Sequence, residues 1–246
     1  RVIGHRRLSI MDPAGGDQPI YSADGARAVC ANGEIYNHPA LRERLGARHA
    51  YRTSCDSESA LHLYEEAFVG AAEQLDGMFA LALADGPDLY VARDPIGIKP
   101  LYVGRHVNGL VFASELKALA GLAQEVREFP PGTWYHSRLG FKQFYEVPEA
   151  RPVARSADDQ ARRLREALDR AVTKRLMSDV PLGAFLSGGL DSSLIAAIAK
   201  RRLGRLDTFT VGVEGSGDLR AARRVAEYLG TDHHEYLLRP EEIREK

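Results

Sequence analysis

The alternation of apolar and polar residues separates the chain into two kinds of region. Between residues 75 and 85, Phe79, Leu81 and Leu83 alternate with three alanines. This period of two predicts a strand with one packed face and a second face too close to a neighbour for bulky side chains. Further short strands follow, separated by turn signals such as Asn108-Gly109. The predicted strands are 75–85, 88–92, 101–103, 110–113, 133–136 and 141–147.

Two helices interrupt these strands. The first is predicted between Pro39, near its first turn, and Gly46 at its end. The second is predicted from about Asp56, as N-cap, to Phe68, and a short third helix over 114–122. Many antiparallel strands with few helices predict an α+β domain of layered sheets covered by helices.

From residue 156 the pattern changes to alternating helices and strands. A capping-box-like start at Ser156 opens a helix predicted to end at Met177, and the apolar run 180–186 is typical of a buried parallel strand. These predict an α/β domain with about three parallel strands, whereas a doubly wound sheet has five or six. The later predicted elements are a helix after the loop 187–193, a strand over 206–213, a helix over 218–229 ended by Gly230, a strand over 235–238, and a cut-short helix over 241–246.

The stretch 146–159 is rich in proline and charge and poor in large apolar residues, which predicts a linker. We therefore expect two domains, residues 1–150 and 151–246. A net charge of −1 gives no reason to expect a nucleic acid or an anionic membrane as partner. No apolar run reaches membrane-spanning length, and two cysteines form no disulfide framework, so a cytoplasmic location is expected. The adjacent pair His233-His234 is better explained by a surface strand than by a metal.

A glycine-rich turn lies between the apolar run and the next helix. Strand, turn and helix together point backbone N–H groups and a positive helix end at an anion. Gly188 and Gly189 let the backbone approach a ligand, and Asp191 can hold Mg²⁺ against phosphate oxygens. A Walker A loop is excluded because no lysine follows the glycines of the loop until Lys200, about two helical turns beyond the loop. The pattern predicts a phosphate site; the alternative is a turn that only caps a helix.

Three patches in the first half carry candidate chemistry. Arg7 can clamp a carboxylate, although a plain surface arginine is the alternative. Asn32 and Gly33 can form an oxyanion hole, although Asn-Gly is also a common hairpin turn. Asp56 can meet an α-amino group, although an N-cap needs no ligand.

These patches also carry a family resemblance. The segments G-H-R-R-L-S-I, N-G-E-I-Y-N and S-C-D-S-E precede R-D-P-I-G-I-K-P-L-Y and F-A-S-E-L-K-A-L. In that order they resemble the type II glutamine amidotransferase domain of asparagine synthetases, which has an N-terminal-nucleophile (Ntn) hydrolase-like fold of layered antiparallel sheets with helices. The segment S-G-G-L-D-S-S resembles the pyrophosphate loop (PP-loop) of ATP pyrophosphatases, whose domain follows in the same family.

The resemblance implies roles for individual residues. Arg7 would grip the α-carboxylate of glutamine, Asp56 its α-amino group, and Asn32 with Gly33 would stabilise the oxyanion. Asp191 would be a Mg²⁺ ligand. The implied glutamine-binding residues are Arg7, Leu8, Ser9, Ile10, Met11, Asn32, Gly33, Glu34 and Asp56. The implied ATP-binding residues are Leu186, Ser187, Gly188, Gly189, Leu190, Asp191, Ser192, Ser193 and Val211.

The implied reaction is the ATP-dependent, glutamine-using amidation of aspartate to asparagine through an acyl-adenylate, with release of AMP and pyrophosphate. Glutamine, aspartate and ATP are the implied substrates, Mg²⁺ is the implied metal, and a homodimer is one candidate assembly. An acceptor acid of secondary metabolism is left open, because the residues that choose it lie beyond Lys246. We expect this polypeptide alone to bind ATP weakly and to be inactive.

One departure from the family concerns the nucleophile. The family uses an N-terminal cysteine followed by glycine and isoleucine, and neither Cys30 nor Cys55 supplies a free α-amine. The chain is then either a fragment or a divergent member. Survival of the glutamine ligands favours a fragment. The alternatives are a β-lactam-synthetase-like ligase with a non-functional glutaminase domain, and a non-hydrolysing glutamine-binding module.

Overall fold

The computed structural model describes residues 2–150 and 156–239, and the chain divides into two compact units, Arg1–Arg151 and Pro152–Lys246. The predicted helix over 241–246 and part of the predicted linker lie outside the described residues. The strands of the first unit are β1 (Ile20–Tyr21), β2 (Arg27–Ile35), β3 (Gly77–Asp85), β4 (Asp88–Arg93), β5 (Tyr102–His106), β6 (Gly109–Ala113), β7 (Gln124–Glu128), β8 (Thr133–His136) and β9 (Gly140–Gln143), and its helices are α1 (His38–Leu45) and α2 (Glu58–Ala67). The second unit contains α3 (Ala157–Thr173), β10 (Gly183–Phe185), α4 (Leu190–Leu203), β11 (Asp207–Gly212), α5 (Gly217–Leu229) and β12 (Asp232–Leu237).

The first unit is built from two antiparallel sheets. One has the order β1-β2-β3-β4-β8-β9 and the other β6-β5-β7. On β3, Phe79, Leu81 and Leu83 pack in one core with the apolar sides of α1 and α2, and Ala80 on the opposite face packs with Val103 of the second sheet. The alternation of large residues and alanines is thereby explained: the alanine face lies against another sheet. The predicted layers of antiparallel sheet and helix are confirmed.

Some predictions for this unit are wrong at the level of single elements. Strand β7 was not predicted, because its residues are mostly charged and exposed and show no apolar alternation. The predicted helix over 114–122 contains only a 3-10 turn, Leu116–Ala118. Helix α2 begins at Glu58, and Asp56 is not its N-cap. The predicted hairpin at Asn108-Gly109 is confirmed by the pairing of β5 with β6.

The second unit contains a parallel sheet of order β10-β11-β12, so the three predicted parallel strands are confirmed. Its buried face carries Leu186, Thr208 and Thr210, and a small core packs this face against the three helices. Ser156 caps α3 by accepting a hydrogen bond from the Asp159 N–H at 3.2 Å, and Gly230 ends α5 in the left-handed conformation.

Two expectations for this unit are corrected. Helix α3 ends at Thr173 rather than at Met177. The apolar run 180–186 contributes only three strand residues, and Phe185 is 80% exposed rather than buried. The physical reason is that β10 is an edge strand, and Phe185 lies on the sheet face opposite to the one that carries Leu186. Within residues 2–150 and 156–239, no helix combines the length and apolar character needed to cross a membrane.

Candidate functional site

The three patches of the first half meet around one cavity of about 490 Å³. Its lining includes Arg7, Asn32, Gly33, Glu34 and Asp56, which come from the N-terminal segment, from β2 and from the turn before α2. Residues separated by almost fifty positions in sequence therefore share one site. Of the other predicted glutamine-binding residues, Leu8, Ile10 and Met11 line the cavity, whereas Ser9 is exposed and is not part of the lining.

Asn32 and Gly33 lie inside β2, where they pair with Ala80 and Phe79 of β3. The alternative of an Asn-Gly hairpin turn is therefore wrong. Gly33 has φ = +148°, and a Cβ atom there would lie 1.9 Å from the carbonyl oxygen of Met78. The neighbouring strand thus leaves no room for any side chain at residue 33, and the backbone beside the cavity stays uncovered.

Asp56 brings a buried carboxylate to the cavity, with only 2% of the residue exposed. Its Oδ2 accepts a hydrogen bond from the Ile35 N–H at 2.6 Å, and its Oδ1 accepts one from Cys55 Sγ at 3.5 Å. These contacts tie the turn before α2 to the end of β2. Each carboxylate oxygen can accept more than one hydrogen bond, so Asp56 retains capacity for an ammonium group.

Arg7 is held mainly by main-chain oxygens. Its Nη2 donates to the carbonyl oxygens of Met11 at 2.5 Å and Asp12 at 2.7 Å. Its Nη1 makes only long contacts, 3.4 Å to the Pro13 carbonyl and 3.3 Å to Asp17 Oδ1. One side of the guanidinium therefore shapes the turn over residues 11–13, and the Nη1 side has the capacity to bind a carboxylate.

Neither cysteine has the properties of an activated nucleophile. Burial raises the pKa of the Cys30 thiol to about 11. Burial, and then the charge of Asp56, raise the pKa of the Cys55 thiol to about 11 as well. Because the thiolate is the reactive form, both side chains are almost fully protonated and unreactive at neutral pH.

Several lining residues were missed by the sequence analysis. Lys99 is one of them, and the loop that carries it is fixed by Asp94, which is fully buried. The Asp94 carboxylate accepts hydrogen bonds from the N–H groups of Phe79, Ile96, Ile98 and Lys99. The segment R-D-P-I-G-I-K-P-L-Y contributed to the family resemblance. Its sequence did not indicate that Asp94 organises the loop or that Lys99 lines the cavity.

His5 is a second missed residue, since it also lines the cavity. Burial, and secondarily the charge of Arg7, lower the pKa of its imidazole. The ring is therefore neutral at pH 7. One of its nitrogens can donate a hydrogen bond to a polar ligand and the other can accept one. Gln18 and residues 112–115 also line the cavity and were not predicted.

The predicted phosphate loop lies at the carboxyl end of β10 and leads into α4. Its hydroxyl groups bond within the loop: Ser187 Oγ lies 3.0 Å from Ser192 Oγ, and Ser193 Oγ donates to the Gly189 carbonyl at 2.6 Å. Asp191 is exposed in the first turn of α4. The loop is therefore an open surface feature with hydroxyl and carboxylate oxygens close together.

The two glycines of this loop have different surroundings. Gly188 has φ = +75°, and a Cβ atom there would lie 2.4 Å from the Ala221 carbonyl carbon in α5. At Gly189 the nearest atom to such a Cβ is Ser187 Oγ at 3.4 Å. Close packing against α5, and not only the approach of a ligand, thus explains why residue 188 is a glycine.

The remaining predicted ATP-binding residues differ in exposure. Leu186 is buried, and its N–H donates to the Phe209 carbonyl at 2.8 Å. Leu190 is exposed, and Val211 is half-exposed on the sheet face opposite to Thr210. The structure therefore leaves Leu190 and Val211 accessible, while Leu186 anchors the start of the loop in the core.

Two segments of the chain match models of known protein families. Residues 5–121 match the family model described as glutamine amidotransferase domain, and residues 163–246 match the one described as asparagine synthase. The chain is 48% identical to asparagine synthetase [glutamine-hydrolyzing] 2 of Arabidopsis thaliana, covering 95% of this chain and 43% of that protein. It is 47% identical to asparagine synthetase [glutamine-hydrolyzing] of Asparagus officinalis, covering 95% of this chain and 42% of that protein. The chain thus spans less than half the length of these relatives.

A solved structure described as the allosteric regulatory enzyme of purine biosynthesis is similar to the chain with a TM-score of 0.51. The two are 19% identical in sequence, and the match covers 95% of this chain and 65% of that one. At this identity the similarity concerns the fold alone.

Proposed function

We propose that the protein takes part in glutamine-dependent synthesis of asparagine, since residues 5–121 match the glutamine amidotransferase domain model and residues 163–246 the asparagine synthase model. The observation that carries the proposal is the cavity around which Arg7, Asn32, Gly33 and Asp56 converge. Two charged groups and one open stretch of backbone are the elements needed to bind an amino acid by its two charged ends and its side-chain amide.

In this proposal the cavity binds glutamine. The Asp56 carboxylate accepts hydrogen bonds from the α-ammonium group, and the Nη1 side of Arg7 pairs with the α-carboxylate. Asn32 and the backbone at Gly33 then lie beside the side-chain amide, with Glu34 as a further polar contact. The cavity has the volume of an ordinary small-molecule site.

Asn32 and Gly33 are the proposed oxyanion donors. Hydrolysis of the glutamine amide yields glutamate and ammonia, and negative charge develops on the amide oxygen during attack. Preorganised donors lower the energy of that state, and the pairing of β2 with β3 fixes this part of the backbone. Because Cys30 and Cys55 both have raised pKa values, neither is assigned as the attacking thiolate.

The second unit is the proposed PP-loop domain. The loop over residues 187–193 would receive the phosphates of ATP at the amino end of α4, where backbone N–H groups and the helix dipole favour anions. The exposed Asp191 carboxylate and the neighbouring Ser192 and Ser193 hydroxyls are oxygen donors, which fit a hard cation such as Mg²⁺. When bound there, Mg²⁺ would neutralise charge on the phosphate oxygens. Val211 is the proposed apolar contact of the nucleotide, and buried Leu186 holds the start of the loop in place.

The proposed overall reaction joins the two chemistries. The side-chain carboxylate of aspartate attacks the α-phosphorus of ATP and pyrophosphate leaves; ammonia then attacks the acyl carbon and AMP leaves, giving asparagine. Glutamine, aspartate and ATP are the proposed substrates. A homodimer and a cytoplasmic location stay predictions.

The test is a product assay on the complete gene product that contains residues 1–246. Supplied with aspartate, glutamine and Mg-ATP, it should form asparagine, glutamate, AMP and pyrophosphate in equal amounts. ATP consumption without glutamate formation would instead support a β-lactam-synthetase-like ligase. Glutamine binding without either product would support a non-hydrolysing binding module, and both results would contradict the proposal.

A further inference from the structure

A cluster of histidines and glutamates lies on α2, outside the glutamine cavity. The Nδ1 atoms of His49, which follows α1, and of His62 in α2 both lie 2.9 Å from the same atom, Glu65 Oε2. The centroids of the two imidazole rings are 5.0 Å apart. One ligand atom from each of these three residues lies within 4.8 Å of the other two.

The other nitrogen of each imidazole also faces a carboxylate. His49 Nε2 lies 3.0 Å from Glu66 Oε1, and His62 Nε2 lies 3.4 Å from Glu58 Oε1. A histidine that binds a metal through one nitrogen typically donates the N–H of the other to a carboxylate, which orients the ring and increases its basicity. His49 has this arrangement with Glu66, whereas His62 Nε2 makes no hydrogen bond to Glu58 in the described part of the chain.

We propose that His49, His62 and Glu65 form a zinc site, with Glu66 as the carboxylate that orients His49. Two imidazole nitrogens and one carboxylate oxygen are an established ligand set for zinc, with a fourth position left for water. Bonds of zinc length require these atoms to move from 2.9 Å to about 3.3 Å apart, a shift of a few tenths of an ångström. His49 and Glu65 are 18% and 15% exposed at the side chain, which gives the fourth position access to solvent.

The charges around the site suit a dication. Glu58, Glu65 and Glu66 are matched by two guanidinium groups: Arg27 Nη1 lies 3.6 Å from Glu65 Oε1, and Arg48 Nη2 lies 2.8 Å from Glu66 Oε2. With both imidazoles neutral, the cluster keeps an excess of negative charge. Tyr51, whose ring packs edge-on against His62 with centroids 4.6 Å apart, adds no charge at neutral pH.

Zinc here would brace the segment that leads to Asp56. The Glu58 carboxylate accepts hydrogen bonds from the Arg52 N–H at 2.6 Å and the Thr53 N–H at 2.8 Å. A metal that fixes His62 therefore also fixes Glu58 and the turn that it holds. The site is structural in this proposal, and it does not depend on whether the cavity binds glutamine.

The test is calorimetric titration of the metal-stripped full chain with ZnCl₂ at pH 7.5, repeated with Co²⁺ to record the visible absorption of a four-coordinate ion. We expect one zinc per chain. The partly exposed ligand variant His49→Gln should lower affinity on the order of 100-fold, and Glu66→Gln about 10-fold. His106→Gln, a histidine on the separate sheet β6-β5-β7, is the matched control and should bind as the wild type does.

Buried Trp134 verifies folding, since its fluorescence should be the same in every variant. Lack of zinc binding by the wild type would overturn the proposal. Equal affinities of the wild type and His49→Gln would place the metal elsewhere and would also overturn it. Loss of glutamine binding with intact zinc binding would affect only the proposed function, so the two failures are distinguishable.

Discussion

The two units carry their candidate sites in different physical surroundings. In the first, the sheet that contains β2 and β3 is covered by helices on one face and by a second sheet on the other, and Asp56 and Arg7 are held by hydrogen bonds to the backbone. In the second, the sheet buries the face of Thr208 and Thr210. The other face leaves apolar side chains exposed, among them Phe185 at 80%.

This difference affects how each site keeps its shape. The cavity of the first unit is preorganised by the surrounding structure, so a ligand has little ordering cost to overcome. The loop over residues 187–193 is held by its own serine hydroxyls and by the packing of Gly188 on α5. A ligand at this loop must compete with hydrogen bonds that the loop already makes.

The largest expected effect comes from Gly33→Ala, which tests how tightly the first site is enclosed. The new methyl group would meet the Met78 carbonyl oxygen in the middle of the sheet, at a backbone conformation unfavourable for alanine. We expect the free energy of unfolding of the first unit to fall by about 3 kcal/mol or more. Urea unfolding followed by the fluorescence of Trp134, the chain's single tryptophan, measures this unit specifically.

Gly25→Ala is the matched control. Gly25 also has a positive φ, +70°, but nothing lies within 4 Å of a Cβ atom there. Gly25→Ala should therefore lower the free energy of unfolding by only about 1 kcal/mol, the ordinary cost of placing an alanine in the left-handed backbone conformation. Equal losses in the two variants would show that the neighbouring strand does not confine Gly33.

A smaller effect is expected from Gly188→Ala in the second unit. The added methyl group would press on the Ala221–Ala222 backbone of α5. Because a surface loop can shift more easily than two central strands, we expect the free energy of unfolding of the second unit to fall by about 2 kcal/mol. Hydrogen exchange of amides in α4 and α5 measures it, and the Trp134 transition should stay unchanged.

Gly189→Ala is the control for this loop, since a Cβ atom there meets only Ser187 Oγ at 3.4 Å and φ is −74°. Its hydrogen exchange should match the wild type. Faster exchange in Gly189→Ala than in Gly188→Ala would mean that α5 does not constrain the loop, and the contrast between the two units would lose its basis.

The smallest effect concerns pH and the metal-free first unit. Burial lowers the pKa of His62, but its contacts with Glu58 and Glu65 outweigh burial and raise the pKa above the ordinary value of 6.5 in the folded chain. Its contribution to stability is therefore complete below pH 6.5 and is lost as pH rises through the folded-state pKa. His62→Gln should remove this part of the pH dependence, as measured by urea midpoints of Trp134 fluorescence from pH 5.5 to 8.5 with a chelator present. An unchanged difference between wild type and variant across that range would show that His62 is not linked to folding.

The sequence predicted the layers of the first unit better than the contacts of individual residues. Strict alternation around Phe79 was sufficient for β3, because a strand with two packed faces restricts every position. Strands at the edges of sheets were harder to predict from the sequence. Strand β7 has no apolar pattern, and the exposure of Phe185 follows from the position of β10 at the edge of its sheet. Local patterns do not determine which strand becomes an edge.

Long-range contacts explain the remaining differences. Asp56 has the composition and position of an N-cap, yet it bonds to Ile35, twenty-one residues away. Lys99 reaches the cavity because Asp94 is buried among backbone N–H groups, which no spacing rule indicates. The convergence of Arg7, Asn32 and Asp56 was predicted through resemblance to a family, since nothing local joins these segments.

The central claim is that the cavity of the first unit binds glutamine through Asp56 and Arg7. Calorimetric titration of the full chain with L-glutamine tests it most directly, with Asp56→Asn as the site variant and Asp191→Asn as the control in the second unit. Asparagine can preserve the hydrogen bond from the Ile35 N–H but carries no charge, so binding should weaken at least about tenfold. Asp191→Asn should bind glutamine as the wild type does. No binding by the wild type, or equal binding by Asp56→Asn, would contradict the account.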